Sequence, residues 1–363
     1  MKKLLLLLML CLALTGCNLK DIDRRMFVVA IGVDAGEQPG SLKVSLKAAI
    51  PQGEAGKADE KMQILTEESE TISEALRRMK SRVDKELDYV HCKTIIVGEK
   101  LARTGIRQVV DWAVRRRDVQ LILNYAVGRP TALKALEVKP VSERIPSNAL
   151  IMAMSRQGTE SPFIVSVYSY QVMRDMHERG EDPIMPIIEA QSETEFRIEK
   201  AAVFAKDKMK MEFSPEETRL YNMLHMKNIK TNLPAPYEGG KYEYYTENSS
   251  VSYKIHTPAG SKPYIRYKIK ITGILEEVST DEKITHAFLS ELSKAGKKDL
   301  EEKISKLLTK VRDSGLDPFG WGLRYGSRHW NNADEMKIWE ELYPQLEFKP
   351  EARVDIKYSG MIN

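Results

Sequence analysis

Residues 26–34 read MFVVAIGVD and residues 41–50 read SLKVSLKAAI. The first is a short apolar run rich in β-branched side chains, which favour strands. The second sets Leu42, Val44 and Leu46 at alternate positions, the period of a strand with one buried face. Between them lies AGEQPG, residues 35–40, with the glycine and proline that turns require. Together they predict a β-hairpin with a longer loop.

Outward from that hairpin the pattern changes period. GEAGKADEK, beginning at Gly53, reads as a flexible polar connection. Ile72, Ala75, Leu76, Met79, Val83 and Leu87 then recur at helical spacing behind Thr71. With Glu74 three residues after that threonine, a capped helix is expected. YVHCKTIIVG (89–98) predicts a strand, GIRQVVDWAVRRR (105–117) a helix, VQLILNYAVG (119–128) a buried strand and TALKALEV (131–138) a short helix. This β-α-β-α-β order implies helices packed on a sheet. VSVYSYQVMRDMHERG (165–180) predicts a further helix stopped at Gly180.

The main boundary is expected between positions 190 and 196. TEFRIEKAAVFA (194–205) and MKMEF (209–213) read as paired strands. Ser214-Pro215-Glu216-Glu217 has the N-cap, first-turn proline and acids of a helix start. In YIRYKIKITGILEEV (264–278), Ile265, Tyr267, Ile269 and Ile271 share one face opposite Arg266, Lys268 and Lys270, so one side should be wet. Leu300, Ile304, Leu307, Leu308 and Val311 mark a long amphipathic helix ending at Gly315. ADEMKIWEELYP (333–344) predicts a helix and ARVDIKYSGMI (352–362) a closing strand, so the second half should be an antiparallel sheet covered by helices. The expected class is a multi-domain α+β chain with mixed or antiparallel sheets, each covered by helices. It divides into an N-terminal α/β-type region over 26–195 and a C-terminal α+β domain over 196–363.

The N-terminus carries a different message. Lys2 and Lys3 precede LLLLLMLCLAL, residues 4–14, which is eleven residues long and too short to span a bilayer. LTGC, residues 14–17, follows, and the chain then turns polar with NLKDIDRR (18–25). A positive start, a short apolar core and small residues predict a secretory signal. The four residues resemble a bacterial lipobox, which implies a signal peptide over 1–16 and a diacylglycerol thioether on Cys17. Residues 17–25 are then a lipidated tether. Two acyl chains would give stable anchoring where one would not.

Composition narrows the function. The net charge of +4 falls to +2 without Lys2 and Lys3, which gives no reason to expect nucleic acid as a partner. Of three cysteines, Cys11 leaves with the signal and Cys17 is lipidated, so Cys92 stands alone and no intrachain disulfide is expected. The six histidines are spread along the chain without a metal-ligand spacing, so no metal site is expected. The glycines of IGVDAGEQPG fit neither G-x-G-x-x-G nor G-x-x-x-x-G-K-S/T, and no G-x-S-x-G elbow occurs. No catalytic residue and no cofactor is expected, and Cys92 reads as an inert buried thiol. The run RRRD, Arg115–Asp118, reads as a solvated helix end, with contact to anionic lipid as the other reading. DPFGWGLRYGSRHW, residues 317–330, reads as a turn-rich plug that puts Phe319 and Trp321 into a core, with a recognition loop as the alternative.

Taken in order, several stretches resemble one family. LTGC, DRRMFVVAIGVD (23–34), HCKTIIVGEKLARTGI (91–106), KAAVFAKDKM (200–209), DPFGWG (317–322) and HWNNADEMKIWEELYPQLEFKPEARVDIKYSG (329–360) are similar to the Ger(x)C-type lipoproteins. These are the C subunits of spore germinant receptors in endospore-forming bacteria. The resemblance implies a non-enzymatic, three-domain α+β protein on the outer face of the spore inner membrane. It also implies two partners, an A-type multi-helix membrane subunit and a B-type transporter-like one. Family members commonly carry a tryptophan and an acid after the lipidated cysteine, whereas this chain has Asn18 and Leu19. The alternative expectation is a solute-binding lipoprotein that captures a nutrient or germinant.

Overall fold

The computed structural model describes residues 24–50, 61–141, 148–154, 161–279, 283–328 and 334–357. The signal and Cys17, and the polar connection after Gly53 up to position 60, lie outside the described residues.

The expected hairpin forms from β1 (Arg25–Ala35) and β2 (Leu42–Ile50), paired antiparallel from Phe27↔Ala49 to Ala35↔Leu42. A strand not anticipated from the sequence, β3 (Lys61–Ser69), continues the meander on β2. Its Glu68 carboxylate accepts bonds from the Glu37 and Gln38 amides, at 2.8 and 3.2 Å, and so fastens the hairpin loop. Next comes helix α1 (Ile72–Lys80), with the Thr71 side chain accepting from the Glu74 amide. Only half of the expected capping box is present, because the Glu74 carboxylate accepts from Ser69 instead. The helix also stops at Lys80, earlier than its apolar spacing predicts. Val83 and Leu87 reach the core from a turn and from the short strand β4 (Glu86–Asp88), which runs parallel beside the start of β1.

On the same edge as β4, away from β2, β1 pairs in parallel with β5 (Thr94–Gly98), and β5 with β6 (Asn124–Arg129). The crossover carries α2 (Glu99–Thr104) and α3 (Arg107–Arg115). Then follow α4 (Ala132–Glu137), α5 (Asn148–Met154) and α6 (Ser169–His177). They lead to β7 (Ile184–Ala190), parallel to β6 and antiparallel to β8 (Phe196–Ala205), which pairs with β9 (Lys208–Phe213). The main path of this sheet is β3-β2-β1-β5-β6-β7-β8-β9 among the described residues.

Both faces of its centre are buried, as parallel strands require. Ile95 and Val97 enter the core beneath α1, α3 and α6, while Ile96 between them faces α4 and α5. The α4 face is lined by small residues because that helix lies close. A Cβ on Gly128 would stand 2.9 Å from the Ala132 Cα, and one on Gly32 2.8 Å from Leu136 Cδ1.

A second sheet, β10-β11-β12-β13, is built from β10 (Asn232–Pro234), β11 (Tyr242–His256), β12 (Tyr264–Val278) and β13 (Glu347–Lys357). The wet face expected of β12 is observed: Ile265, Tyr267, Ile269 and Ile271 are buried and Lys268 and Lys270 are exposed. Here the expectation of an antiparallel sheet needs correction, since β13 runs parallel to β12. Parallel neighbours need a long crossover. This one carries the helices α8 (His286–Asp313), α9 (Trp321–Gly326) and α10 (Glu335–Leu342). The α8 stripe Leu300, Ile304, Leu307, Leu308 and Val311 is buried against this sheet, as its spacing predicts. α8 also blunts the open edge of β13: the Ala352 amide donates to Glu301 Oε1 at 2.7 Å and the Ile356 amide to Ser293 Oγ at 3.0 Å.

Helix α7 (Pro215–His225) starts with a complete Ser214/Glu217 capping box, as its sequence requires. Its apolar face joins β8 to the second sheet. Along β8, Ala202 and Phe204 enter the core of the first sheet and Ala201 and Val203 the core of the second. Period-two alternation thus lets one strand serve two cores.

Candidate functional site

In open α/β sheets, ligands bind beyond the carboxyl ends of the parallel strands, commonly at a helix N-terminus. Here that end is filled by the chain's own side chains. Asp34, at the end of β1, accepts from the Ala132 and Leu133 amides at 2.7 and 3.0 Å, so its carboxylate sits where a bound anion would. Burial pushes its pKa above the ordinary aspartate value, and the two amides pull it back. Beside it Arg129, at the end of β6, reaches Glu99 at 2.7 Å, Glu189 at 2.8 Å and Glu212 at 2.6 Å. The guanidinium holds the Glu99 carboxyl below its ordinary range. Lys200 adds a second cation, 3.2 Å from Glu189. These groups close the strand ends electrostatically.

The DPFGWG stretch ties the two sheets together. Asp317 is buried; its carboxylate accepts from the Trp321 amide at 3.1 Å and the Gly322 amide at 2.8 Å, which holds the start of α9. Its own amide donates to Asp182 Oδ2 at 2.9 Å, and its carbonyl oxygen accepts from the Asp182 amide at 2.9 Å. Burial raises the Asp317 pKa to about 7, with the Asp182 and Glu181 charges adding to it. Lys206 Nζ donates to the Glu178 and Glu181 carbonyl oxygens, both at 2.6 Å, and fixes the loop that carries Asp182. Trp321 is fully buried, stacks on Phe319 with centroids 4.8 Å apart, and donates from Nε1 to the Tyr267 hydroxyl at 2.6 Å. Phe319 and Trp321 therefore plug a core, as the sequence reading favoured; Arg328 is the last described residue of that stretch. Beside the junction lies a cavity of about 40 Å³, lined in part by Asp175, Asp182, His225 and Pro318. A bound water takes about 30 Å³ and ligand sites run to several hundred, so this is room for a water.

The remaining candidates are dispersed. Cys92 is buried and free, its thiol pushed up to about 12 by burial, with Sγ 3.6 Å from the Thr94 carbonyl oxygen. Burial thus favours the protonated thiol, whereas the thiolate is the nucleophilic form. His91 is exposed, its ring edge-on to Phe27 at 4.9 Å. His225 stacks on Tyr221 and His256 on Tyr264, at 5.4 and 4.6 Å. Among the described residues no group of three or more His, Cys, Asp or Glu is placed to hold a metal. No helix among them is long and apolar enough to cross a membrane.

Sequence reasoning missed Asp34, Asp182 and Arg129. Asp34 was legible only as the end of a strand, because its partners lie about a hundred positions away. Arg129 likewise gathers acids from three other elements. A buried carboxylate closing a strand has no sequence signal other than its place after an apolar run.

Comparison with known proteins places this arrangement. Residues 18–190 match the model described as spore germination protein N-terminal domain, and residues 199–360 the model described as spore germination B3/GerAC like, C-terminal. The chain is 24% identical to YfkR of Bacillus subtilis (strain 168), over 99% of this chain and 97% of that protein. It is 21% identical to the spore germination protein GerQC of Bacillus cereus, over 99% of each. The crystal structure of the GerBC protein superimposes with a TM-score of 0.59 at 17% identity, covering 91% of this chain and 98% of that one, which shows a common fold.

Proposed function

The chain belongs to the Ger(x)C family of spore germination proteins, and from that premise we propose that it is a lipid-anchored, non-enzymatic subunit of a spore germinant receptor. In this reading Cys17 carries the lipid and residues 18–25 set the height of the body above the bilayer. The regions 26–195 and 196–363 hold A-type and B-type membrane subunits together on the outer surface of the spore inner membrane. Anchoring makes such assembly a matter of local concentration rather than free diffusion. One observation carries the scaffolding role: the strand ends that take ligands in other α/β sheets hold Asp34 against α4 and Arg129 among three glutamates.

The test is a Cys17→Ala variant in the sporulating cell. Wild-type chain should fractionate with membranes, show a lipid thioether at position 17 by mass spectrometry, and co-purify in detergent with two membrane subunits. The variant should be folded, released and poor at supporting germination. A variant that stays wholly membrane-bound without lipid refutes the anchor, and a wild-type chain purified without membrane partners refutes the scaffold.

A further inference from the structure

The strands β1, β4, β5 and β6 run in one direction, so the loops that enter them gather at one end of the first sheet, opposite Asp34 and Arg129. Four large apolar side chains stand exposed on this rim: Val90, Leu121, Ile122 and Tyr170, at 46%, 42%, 61% and 43% of full exposure. Hydrogen bonds join the loops that carry them. The Val90 amide donates to Asp88 Oδ1 at 3.0 Å, and Lys93 Nζ to Gln120 Oε1 at 2.8 Å. The Asn124 amide donates to the Lys93 carbonyl oxygen at 2.8 Å, and the Tyr170 amide to that of Leu121 at 3.1 Å.

The rim is also basic. Helix α3 returns against the strand direction and ends here, at Arg115. Of the nearby acids, Asp88 pairs with Arg25 at 2.6 Å and Asp118 with Arg116, whose guanidinium lies over the Tyr89 ring, while Asp84 and Asp111 make no ion pair among the described residues. Arg24 and Glu86 also have partners. Arg115 and Arg117 are exposed and make no ion pair among the described residues. Apolar tips beside unpaired arginines match the interface of an anionic bilayer, where apolar groups enter the headgroup boundary and cations meet phosphates. The described chain begins on this same rim, at Arg24. Six residues separate Cys17 from Arg24, seven Cα–Cα steps with a reach of at most about 25 Å.

We propose that this rim is a second membrane contact, with Leu121, Ile122, Val90 and Tyr170 seated at the surface of an anionic bilayer and Arg115 and Arg117 on lipid phosphates. It rests on the anchored reading for its setting, since the tether holds the rim near lipid.

The probe is the chain from position 17 onward carrying Cys17→Ala, so that no acyl chain contributes. It is sedimented with vesicles of phosphatidylcholine alone or of equimolar phosphatidylcholine and phosphatidylglycerol. Binding is expected to the anionic vesicles and should weaken with added salt. Arg115→Glu with Arg117→Glu should weaken it by about tenfold or more, and Leu121→Glu with Ile122→Glu should abolish it. Val141→Glu, at an exposed apolar position outside the rim loops, should leave binding unchanged. Thermal unfolding of each variant should match the parent, because the altered side chains are exposed. An unlipidated chain that ignores anionic vesicles overturns the proposal while leaving the lipid anchor intact. Vesicle binding unaffected by the rim substitutions overturns it too. So does a dimer broken by Ile122→Glu without vesicle binding, which would make the rim a protein contact. If native Cys17 proves unmodified while the rim variants still lose vesicle binding, the anchor fails and the rim stands.

Discussion

Gly180 should be among the least replaceable residues of this chain. It adopts φ +80, and its carbonyl oxygen accepts from the Leu323 amide at 2.9 Å, where the chain before β7 meets α9. A Cβ there would stand 2.6 Å from both the Gly322 carbonyl carbon and the Leu323 nitrogen, and 2.7 Å from the Gly322 Cα. All three are backbone atoms and cannot swing aside. Gly180→Ala therefore combines about 1 kcal/mol for the left-handed backbone with about 1–3 kcal/mol for overlap in a packed junction. Gly315 separates the two effects, because it adopts φ +72 with nothing within 4 Å of its would-be Cβ. Gly315→Ala should lose only the first term. At about 2–4 °C of Tm per kcal/mol, thermal melts followed by circular dichroism should drop by about 5–15 °C for Gly180→Ala and about 2–4 °C for Gly315→Ala. Equal losses would refute the close approach as the reason for glycine at 180.

Two further outcomes follow from the buried carboxylates. Asp317 has a folded pKa of about 7, above its ordinary 3.8, so the folded chain binds the extra proton between those values. Its contribution to stability is present at pH 4 and is lost as pH rises through 7, by at most about 4 kcal/mol. Asp317→Asn should lower the melting temperature at pH 5, since one amide hydrogen then faces a backbone N–H, yet flatten the decline from pH 5 to pH 8; an unchanged slope would show that Asp317 does not titrate there. Asp34→Ala strips the Ala132 and Leu133 amides of their acceptor and should cost about 2–4 kcal/mol in chemical denaturation, whereas a loss below about 0.5 kcal/mol would remove Asp34 from the account of how the strand ends are closed.

Four strands escaped the sequence reading, β3, β4, β7 and β10, and for β3 and β7 the physical reason is plain. β3 runs at the edge of the sheet and ends in LTEES, which reads as polar loop because Glu67 and Glu68 find their partners only in the fold, Glu67 at Arg82 and Glu68 on the hairpin-loop amides. β7 contains Pro186, a residue usually taken to end a strand. It is tolerated because the β6–β7 ladder begins only at Val127↔Ile187, one position later. The over-long expectation for α1 has a similar origin. Val83 and Leu87 keep a helical spacing but reach the core from other elements, and spacing cannot distinguish a helix face from separate elements that converge on one core.

What the sequence determined by itself was everything set by neighbours a few positions apart. The β1–β2 hairpin, the caps at Thr71 and Ser214, the two-faced β12 and the apolar stripe of α8 all follow from side-chain period and local hydrogen bonding. Only the tertiary structure decided that β13 returns parallel to β12, that β8 feeds two cores, and that Asp34, Arg129 and Asp182 meet partners from distant elements. Those pairings depend on where the chain comes back after tens of residues, and no local energy records that.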